Sequence, residues 1–314
     1  MPRSGEGGSP RPEHTDTTPT PDAETVLARF SEPTRRWFTG AFAGPTAAQL
    51  GAWDAVSSGR HALVIAPTGS GKTLSSFLWA LDSFVREPAD PETSSTRVLY
   101  VSPLKALGVD VERNLRAPLI GITQTAKLLG SPVPEVRVGV RSGDTPAAER
   151  RRLLQDPPDI LITTPESLYL MLTSKARSAL KGVRTVIVDE VHAVAGTKRG
   201  AHLAVSLERL DAILDAPVQR IGLSATVEPA SEVARFLGGV QPVSVVRPVS
   251  AKRWDLTVTV PLPDMTDLAA PPASAAAAAQ AGGEPATGGS IWPHVEERIV
   301  DLVSERRSTL VFAN

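Results

Sequence analysis

The stretch HALVIAPTGSGKTLSSFLWALDSF, residues 61–84, decides the fold. It opens as a short apolar run, HALVIA, passes through PTGSGKT, and continues with apolar residues at helical spacing. Strand, glycine-rich loop, Lys-Thr and helix is the order of a phosphate-binding loop. Gly69 and Gly71 let the backbone N–H groups of the Thr68–Gly69–Ser70–Gly71 turn point inward at phosphate oxygens. A helix beginning near Lys72 adds the positive end of its dipole. Lys72 is placed to reach β and γ phosphates, and the Thr73 hydroxyl to hold Mg2+. Ala66 stands where the general pattern has its first glycine.

Similar β-branched runs recur after it: RVLYVSP (97–103), VRVGVRS (136–142), DILITTP (159–165), RTVIVDE (184–190) and RIGLSAT (220–226). Helical patterns separate them. The clearest is AHLAVSLERLDAILD (201–215), with Leu203, Leu207, Leu210 and Leu214 on one face. Alternating strands and helices predict an α/β fold with a mostly parallel sheet covered on both faces. WDLTVTVPL (254–262) reads as one more strand and closes a first lobe spanning 23–262. Residues 1–22, rich in Pro, Gly, Ser and Thr, read as a disordered tail, and 263–290 as a flexible linker or insertion. VEERIVDLV (295–303) then predicts a helix, and STLVFAN (308–314) a buried strand, so that 291–314 reads as the opening of a second lobe.

Composition narrows the class. A hydrophobic fraction of 41% and a charged fraction of 21% suit a soluble globular chain of 314 residues. The net charge of −1 leaves no global electrostatic footprint for nucleic acid, so any such site must be local. The absence of cysteine excludes disulfides and thiolate zinc sites. The N-terminal stretch has no apolar run of a secretory signal, and no stretch reads as a membrane span, so the expected location is the cytoplasm.

A phosphate loop that works on ATP needs an acidic pair at the end of another buried strand. VIVDEVH (186–192) supplies it. Asp189 would hold the metal through water, and Glu190 would orient and deprotonate the attacking water. His192 lacks spaced His or Cys partners for a metal and reads as a polar link from the nucleotide to the next element. An exposed Asp-Glu at a strand end is common, but sites of this kind gather at the carboxyl ends of parallel strands, where the phosphate loop also sits.

PTAAQ (45–49), APTGSGKT (66–73), SPLKAL (102–107), TTPESL (163–168), DEVH (189–192) and SAT (224–226) together resemble superfamily 2 DEAD/DEAH-box helicases in order and spacing. RSGDT (141–145), ITTPESLYLMLTS (162–174), DEVHAVAGTKRGAHLAVSLERL (189–210) and WP…ERIVDLV…STLVFAN (292–314) resemble the large helicase-related, or Lhr, family more narrowly. The resemblance implies a RecA-like lobe and an ATP- and Mg2+-dependent DNA translocase and helicase tied to repair. It implies that Gln49 reads the adenine edge, with Trp37 or Phe38 as aromatic companion, and that Ser224 and Thr226 couple hydrolysis to strand movement.

The resemblance also implies that single-stranded or forked nucleic acid, most readily DNA, meets Pro103 and Lys105, Arg141 to Asp144 with Gly143 between, and Thr164, Pro165 and Glu166. Taken alone, TTPES fits a helix cap equally well: Thr at the cap, Pro at the first position, an acid in the first turn. Motors of this family use two lobes, the second supplying arginines worth about 10³–10⁵ in rate in related enzymes. The motifs expected after STLVFAN do not occur here, so the chain alone is expected to bind nucleotide with weak or no turnover; it is separately expected to be monomeric. A non-hydrolysing binding module is the competing class; a P-loop kinase or small-molecule ATPase fits DEVH, SAT and TTPES poorly.

Overall fold

The computed structural model describes residues 21–67, 69–88, 95–133, 135–248, 255–260 and 291–312, with the backbone alone for 105–109. The chain divides into two compact units, Met1–Ser250 and Ala251–Asn314.

The first unit is built on a seven-stranded sheet in the order β3-β4-β2-β5-β6-β1-β7. Its strands are β1 (His61–Ile65), β2 (Val98–Val101), β3 (Val138–Arg141), β4 (Ile160–Thr163), β5 (Thr185–Val188), β6 (Gln219–Ser224) and β7 (Val243–Val246). Every pairing is parallel. All strand carboxyl ends therefore face one edge, and this is what gathers the motifs.

The helices in chain order are α1 (Ala23–Leu27), α2 (Glu32–Ala41), α3 (Ala47–Ser57), α4 (Lys72–Arg86), α5 (Lys105–Leu128), α6 (Ala147–Gln155), α7 (Pro165–Leu172), α8 (Val191–Val194), α9 (Lys198–Asp211) and α10 (Ala230–Gly238). They cover both faces of the sheet. Alternate residues of β1 divide accordingly: Ala62 and Val64 join the core beneath α3 and α4, whereas Leu63 and Ile65 join the core beneath α8, α9 and α10. Burial on both faces is why these strands read as unbroken apolar runs.

The leucine stripe of 201–215 is borne out in part. Leu203, Leu207 and Leu210 are fully buried, but α9 stops at Asp211 and Leu214 lies beyond it. Asp211 anchors that exit: its carboxylate accepts from the Val218 N–H at 3.0 Å and pairs with Arg220. Before the sheet, the amphipathic α2 and the capped α3 place Phe38 and Trp53 in the core beside Phe30, ring edge against ring face.

The two end strands are corrections. The last strand of the sheet is β7, not WDLTVTVPL. Residues 255–260 form no strand, and Leu256, Val258 and Val260 are exposed. Alternation gives them one apolar face, but strand propensity has little force without a hydrogen-bonded neighbour. VSVV wins because it lies beside β1, with Leu63 opposite Val245. In the second unit α11 (Trp292–Ser304) forms as the spacing predicts. Within STLVFAN the described residues 308–312 do not form the predicted buried strand: they are irregular, and Leu310, Val311 and Phe312 are exposed; 313–314 lie outside the described residues. The described part of this unit is a helix with irregular chain, and it offers no sheet to pair with. The predicted tail before residue 21 and the 263–290 linker lie outside the described residues.

Candidate nucleotide and nucleic-acid sites

The phosphate loop leaves β1 and enters α4 directly at Lys72. Gly69 and Gly71 both take φ of +79°, where a side chain is strained. Gly71 has a second reason to lack a Cβ, which would lie 2.6 Å from the Gln49 amide nitrogen. The loop is braced by Ser70, whose hydroxyl donates to Pro67 O at 2.7 Å, and by Thr46, whose hydroxyl donates to Ser70 O at 3.0 Å. Thr68 lies outside the described residues. The 15-residue α4 presents its N-terminal N–H groups where the loop ends.

Gln49 belongs to a capping box with Thr46: the Thr46 N–H donates to Gln49 Oε1 at 2.9 Å, and the Gln49 N–H donates to the Thr46 hydroxyl at 3.3 Å. The same contacts hold its side chain against the loop, with the amide nitrogen turned toward Gly71. The two expected aromatic companions both pack within the first unit. Phe38 is 1% exposed, in the core. Trp37 packs on α5 so closely that a Cβ at Gly121 would lie 1.9 Å from its ring nitrogen.

The sheet order puts the ends of β5, β6 and β1 side by side, so DEVH, SAT and the phosphate loop line up. They are joined by hydrogen bonds. Lys72 Nζ donates to Ser224 O at 3.3 Å, and the Ala66 N–H donates to the same carbonyl at 3.2 Å. His192 Nδ1 accepts from the Ala225 N–H at 3.2 Å and lies 3.4 Å from the Ser224 hydroxyl. A backbone N–H can only donate, so the proton of the neutral ring sits on Nε2. In that tautomer the 3.4 Å approach of Glu190 Oε2 to Nδ1 is a contact rather than an ion pair. Thr226 is exposed just beyond this link.

Asp189 is held at both oxygens: Oδ1 accepts from the Glu190 N–H at 2.9 Å and Oδ2 from the Tyr100 hydroxyl. Tyr100 is 1% exposed and stacked on Phe77 at 5.1 Å. Burial, with the Asp189 carboxylate second, pushes its phenol far above the usual range, so it remains a donor. In the sequence Tyr100 is marked only by a hydroxyl at the penultimate position of the otherwise apolar β2. Glu190 has φ of +45°, the one non-glycine residue with positive φ among those described. That conformation costs about 1–2 kcal/mol and turns the side chain out of the strand direction at the start of α8.

These residues fit a hydrated divalent cation held with nucleotide. Asp189 and Thr73 offer hard oxygen ligands. Among the described residues no group of three or more carboxylate, imidazole or thiol side chains converges on a point. A cation here would take most of its ligands from phosphate and water, which is the habit of Mg2+.

The other half of the same edge carries the remaining motifs, at the ends of β2, β4 and β3. Pro103 is buried before α5, which starts at Lys105; the Lys105 side chain lies outside the description. Thr164 is the N-cap of α7, accepting from the Ser167 N–H at 3.4 Å, and Pro165 is its first residue. Both are buried, so the cap expected for TTPES is present and the Thr164 hydroxyl is committed to it. Glu166 is committed too: its carboxylate is gripped by Arg199, whose hydrogen bond is the main cause that lowers its pKa.

RSGDT forms a tight turn. The Ser142 N–H donates to Thr145 Oγ1 at 2.9 Å, the Asp144 N–H donates to Ser142 Oγ at 3.2 Å, and Arg150 donates to Gly143 O at 2.6 Å. Arg141 is half-buried at the end of β3, where burial and then Arg150 lower its pKa. Gly143 and Asp144 are exposed. No helix among the described residues is long and apolar enough to cross a membrane.

Comparison with known proteins agrees with this geometry. Residues 46–235 match the profile of the DEAD/DEAH box helicase family. The chain is 62% identical over 288 residues to the Lhr helicase/probable uracil glycosylase of Mycolicibacterium smegmatis, covering 92% of this chain and 18% of that protein. It is 54% identical over 300 residues to the Lhr helicase/uracil glycosylase of Escherichia coli, covering 94% of this chain and 19% of that protein. The structure of the Mycobacterium smegmatis helicase Lhr bound to ssDNA and AMP-PNP matches with a TM-score of 0.75 at 61% identity, over 92% of this chain and 34% of that one. The sheet is thus a RecA-like helicase lobe. The chain spans about a fifth of the length of these bacterial relatives.

Proposed function

Because this chain belongs to the DEAD/DEAH box helicase family, we propose that it is the ATP-binding lobe of an ATP-dependent DNA helicase or translocase of Lhr type. The supporting observation is the row of strand ends at β5, β6 and β1, tied together through Ser224 and His192. In this reading the backbone N–H groups of Gly69 to Lys72 bind the phosphates, and Lys72 leaves Ser224 O to neutralise them. Asp189, steadied by Tyr100, orients the hydrated Mg2+. Glu190, turned out of line by its left-handed backbone, takes a proton from water.

Such a site leads directly to coupling. When Lys72 swings to phosphate, Ser224 loses one of the two donors on its carbonyl, and the Ser224–Ala225 segment is also what His192 holds. Nucleotide occupancy therefore bears on SAT from both neighbours. Single-stranded or forked DNA would lie along the ends of β2, β4 and β3, meeting Arg141, Gly143 and Asp144, backbone N–H groups near Thr164 and Pro165, and Lys105. The relatives' names, which pair helicase with uracil glycosylase, favour a setting in DNA repair.

The test is a titration of a fluorescent ATP analogue and of labelled single-stranded DNA, followed by phosphate release with and without DNA. Saturable binding of both, each tightening the other, supports the proposal. Binding of both without any hydrolysis, even when a second lobe is supplied, supports the non-hydrolysing module instead. Failure to bind nucleotide contradicts both.

A further inference from the structure

Arg199 is the second residue of α9 and bonds to two of the three segments proposed to grip DNA. Its guanidinium donates to both carboxylate oxygens of Glu166, the Nη2 bond measuring 3.0 Å, and Nη1 donates to Pro103 O at 2.7 Å. One fork thus ties the first turn of α7 to the β2–α5 connection. A planar fork with two parallel bonds to a carboxylate fixes orientation as well as distance.

The base of the fork is itself fixed. Thr197 caps α9, accepting from the Gly200 N–H at 3.1 Å. A Cβ at Gly200 would lie 2.0 Å from Val194 O, so α9 starts in close contact with α8. Further along, Tyr169 of α7 and His202 of α9 pack ring against ring at 4.5 Å. Arg199 therefore projects from a fixed helix start, one short helix downstream of Asp189 and Glu190.

Resting on the nucleic-acid reading above, we propose that Arg199 is a positioning residue for DNA. It does not touch the strand but holds the α7 start and the Pro103 segment in the mutual placement a phosphate backbone needs. Glu166 is its counterpart: an acid beside a phosphate path would repel, whereas gripped by Arg199 it serves as an anchor.

The test is single-stranded DNA affinity, by fluorescence anisotropy of a labelled oligo-dT at several salt concentrations, for the 314-residue chain. The variants are Arg199→Ala, Arg199→Lys, Glu166→Gln and the Arg199→Ala/Glu166→Gln double. Binding of an ATP analogue reports that each variant retains its sheet. Arg199→Ala and Glu166→Gln are each expected to weaken DNA binding by about fivefold, the scale of a well-oriented exposed ion pair. The double variant is expected to be no worse than either single, Arg199→Lys not to restore the fork, and the salt slope to stay unchanged. If Arg199→Ala fails to fold, Glu166→Gln alone decides, since it leaves the arginine stem in place.

Direct phosphate contact by Arg199 would instead lower the salt slope by about one and make Glu166→Gln tighten binding, which overturns the proposal. Wild-type affinity in both single variants overturns it as well, while leaving the nucleic-acid reading intact. Absence of DNA binding by the wild-type chain would overturn that reading and this inference together.

Discussion

The two halves of the sheet's carboxyl edge are assembled by different means. At the ends of β5, β6 and β1 the groups meet through backbone: Ser224 O receives Lys72 and Ala66, His192 receives Ala225, and the chain takes positive φ at Gly69, Gly71 and Glu190. At the ends of β2, β4 and β3 the segments are shaped by caps, a tight turn and one arginine fork. Phosphate demands close approach of N–H groups, which only glycines and a helix start can give. A strand of any sequence demands spaced, repeated contacts, which capped helix starts can give. The first half is therefore intolerant of side-chain change at the loop, and the second at its connectors.

The largest expected effect falls in the first half. When a second lobe is supplied, Glu190→Gln is expected to lower ATP turnover by about 10²–10⁴-fold, the range of a general base, while leaving binding of a non-hydrolysable analogue unchanged. Single-turnover phosphate release measures it, and unaltered turnover would remove Glu190 from that role. Next is Gly71→Ala. Forcing a side chain to a φ of +79° costs about 1–2 kcal/mol and drives a Cβ into the Gln49 amide. Chemical denaturation should show that loss together with weaker nucleotide binding. An unaffected variant would mean that the loop relaxes freely, and the contrast between the halves would weaken.

The smallest effect belongs to the second half. Arg199 holds the Glu166 carboxyl below its ordinary value of 4.5. A carboxyl depressed in the folded state contributes stability that is fully present above its unfolded pKa and is lost as pH falls through the folded one. Glu166→Gln should therefore be slightly less stable than wild type near neutral pH, with the gap closing below pH 4.5. Denaturation midpoints over that range check the sign; a gap that widens in acid would contradict the fork.

Much of this was legible in the sequence because the motifs are short and local. A glycine pair before Lys-Thr, and an Asp-Glu after three β-branched apolar residues, mean the same thing wherever the sheet order places them. What was not legible required neighbours. VSVV and WDLTVTV look alike as strands, and only adjacency to β1 separates them. Leu310 to Phe312 are apolar enough for a core, but the described part of their own unit contains no strand to pair with. Tyr100 and Arg199 lie far from their partners in sequence, 89 residues from Asp189 and 33 from Glu166. Nothing local marks such pairs. The motif of Glu166 points to a strand contact, and its fork to Arg199 is one no local signal marks.

In the proposed function, triphosphate binds where β1 runs into α4, with Lys72 released from Ser224 to meet it. The most direct measurement is equilibrium titration of a fluorescent ATP analogue with Mg2+ into the wild-type chain and Lys72→Ala. A charged hydrogen bond of about 1.5–3 kcal/mol predicts affinity lower by about ten- to a hundredfold in the variant, with its thermal unfolding little changed. Equal affinity in the two proteins would contradict the account.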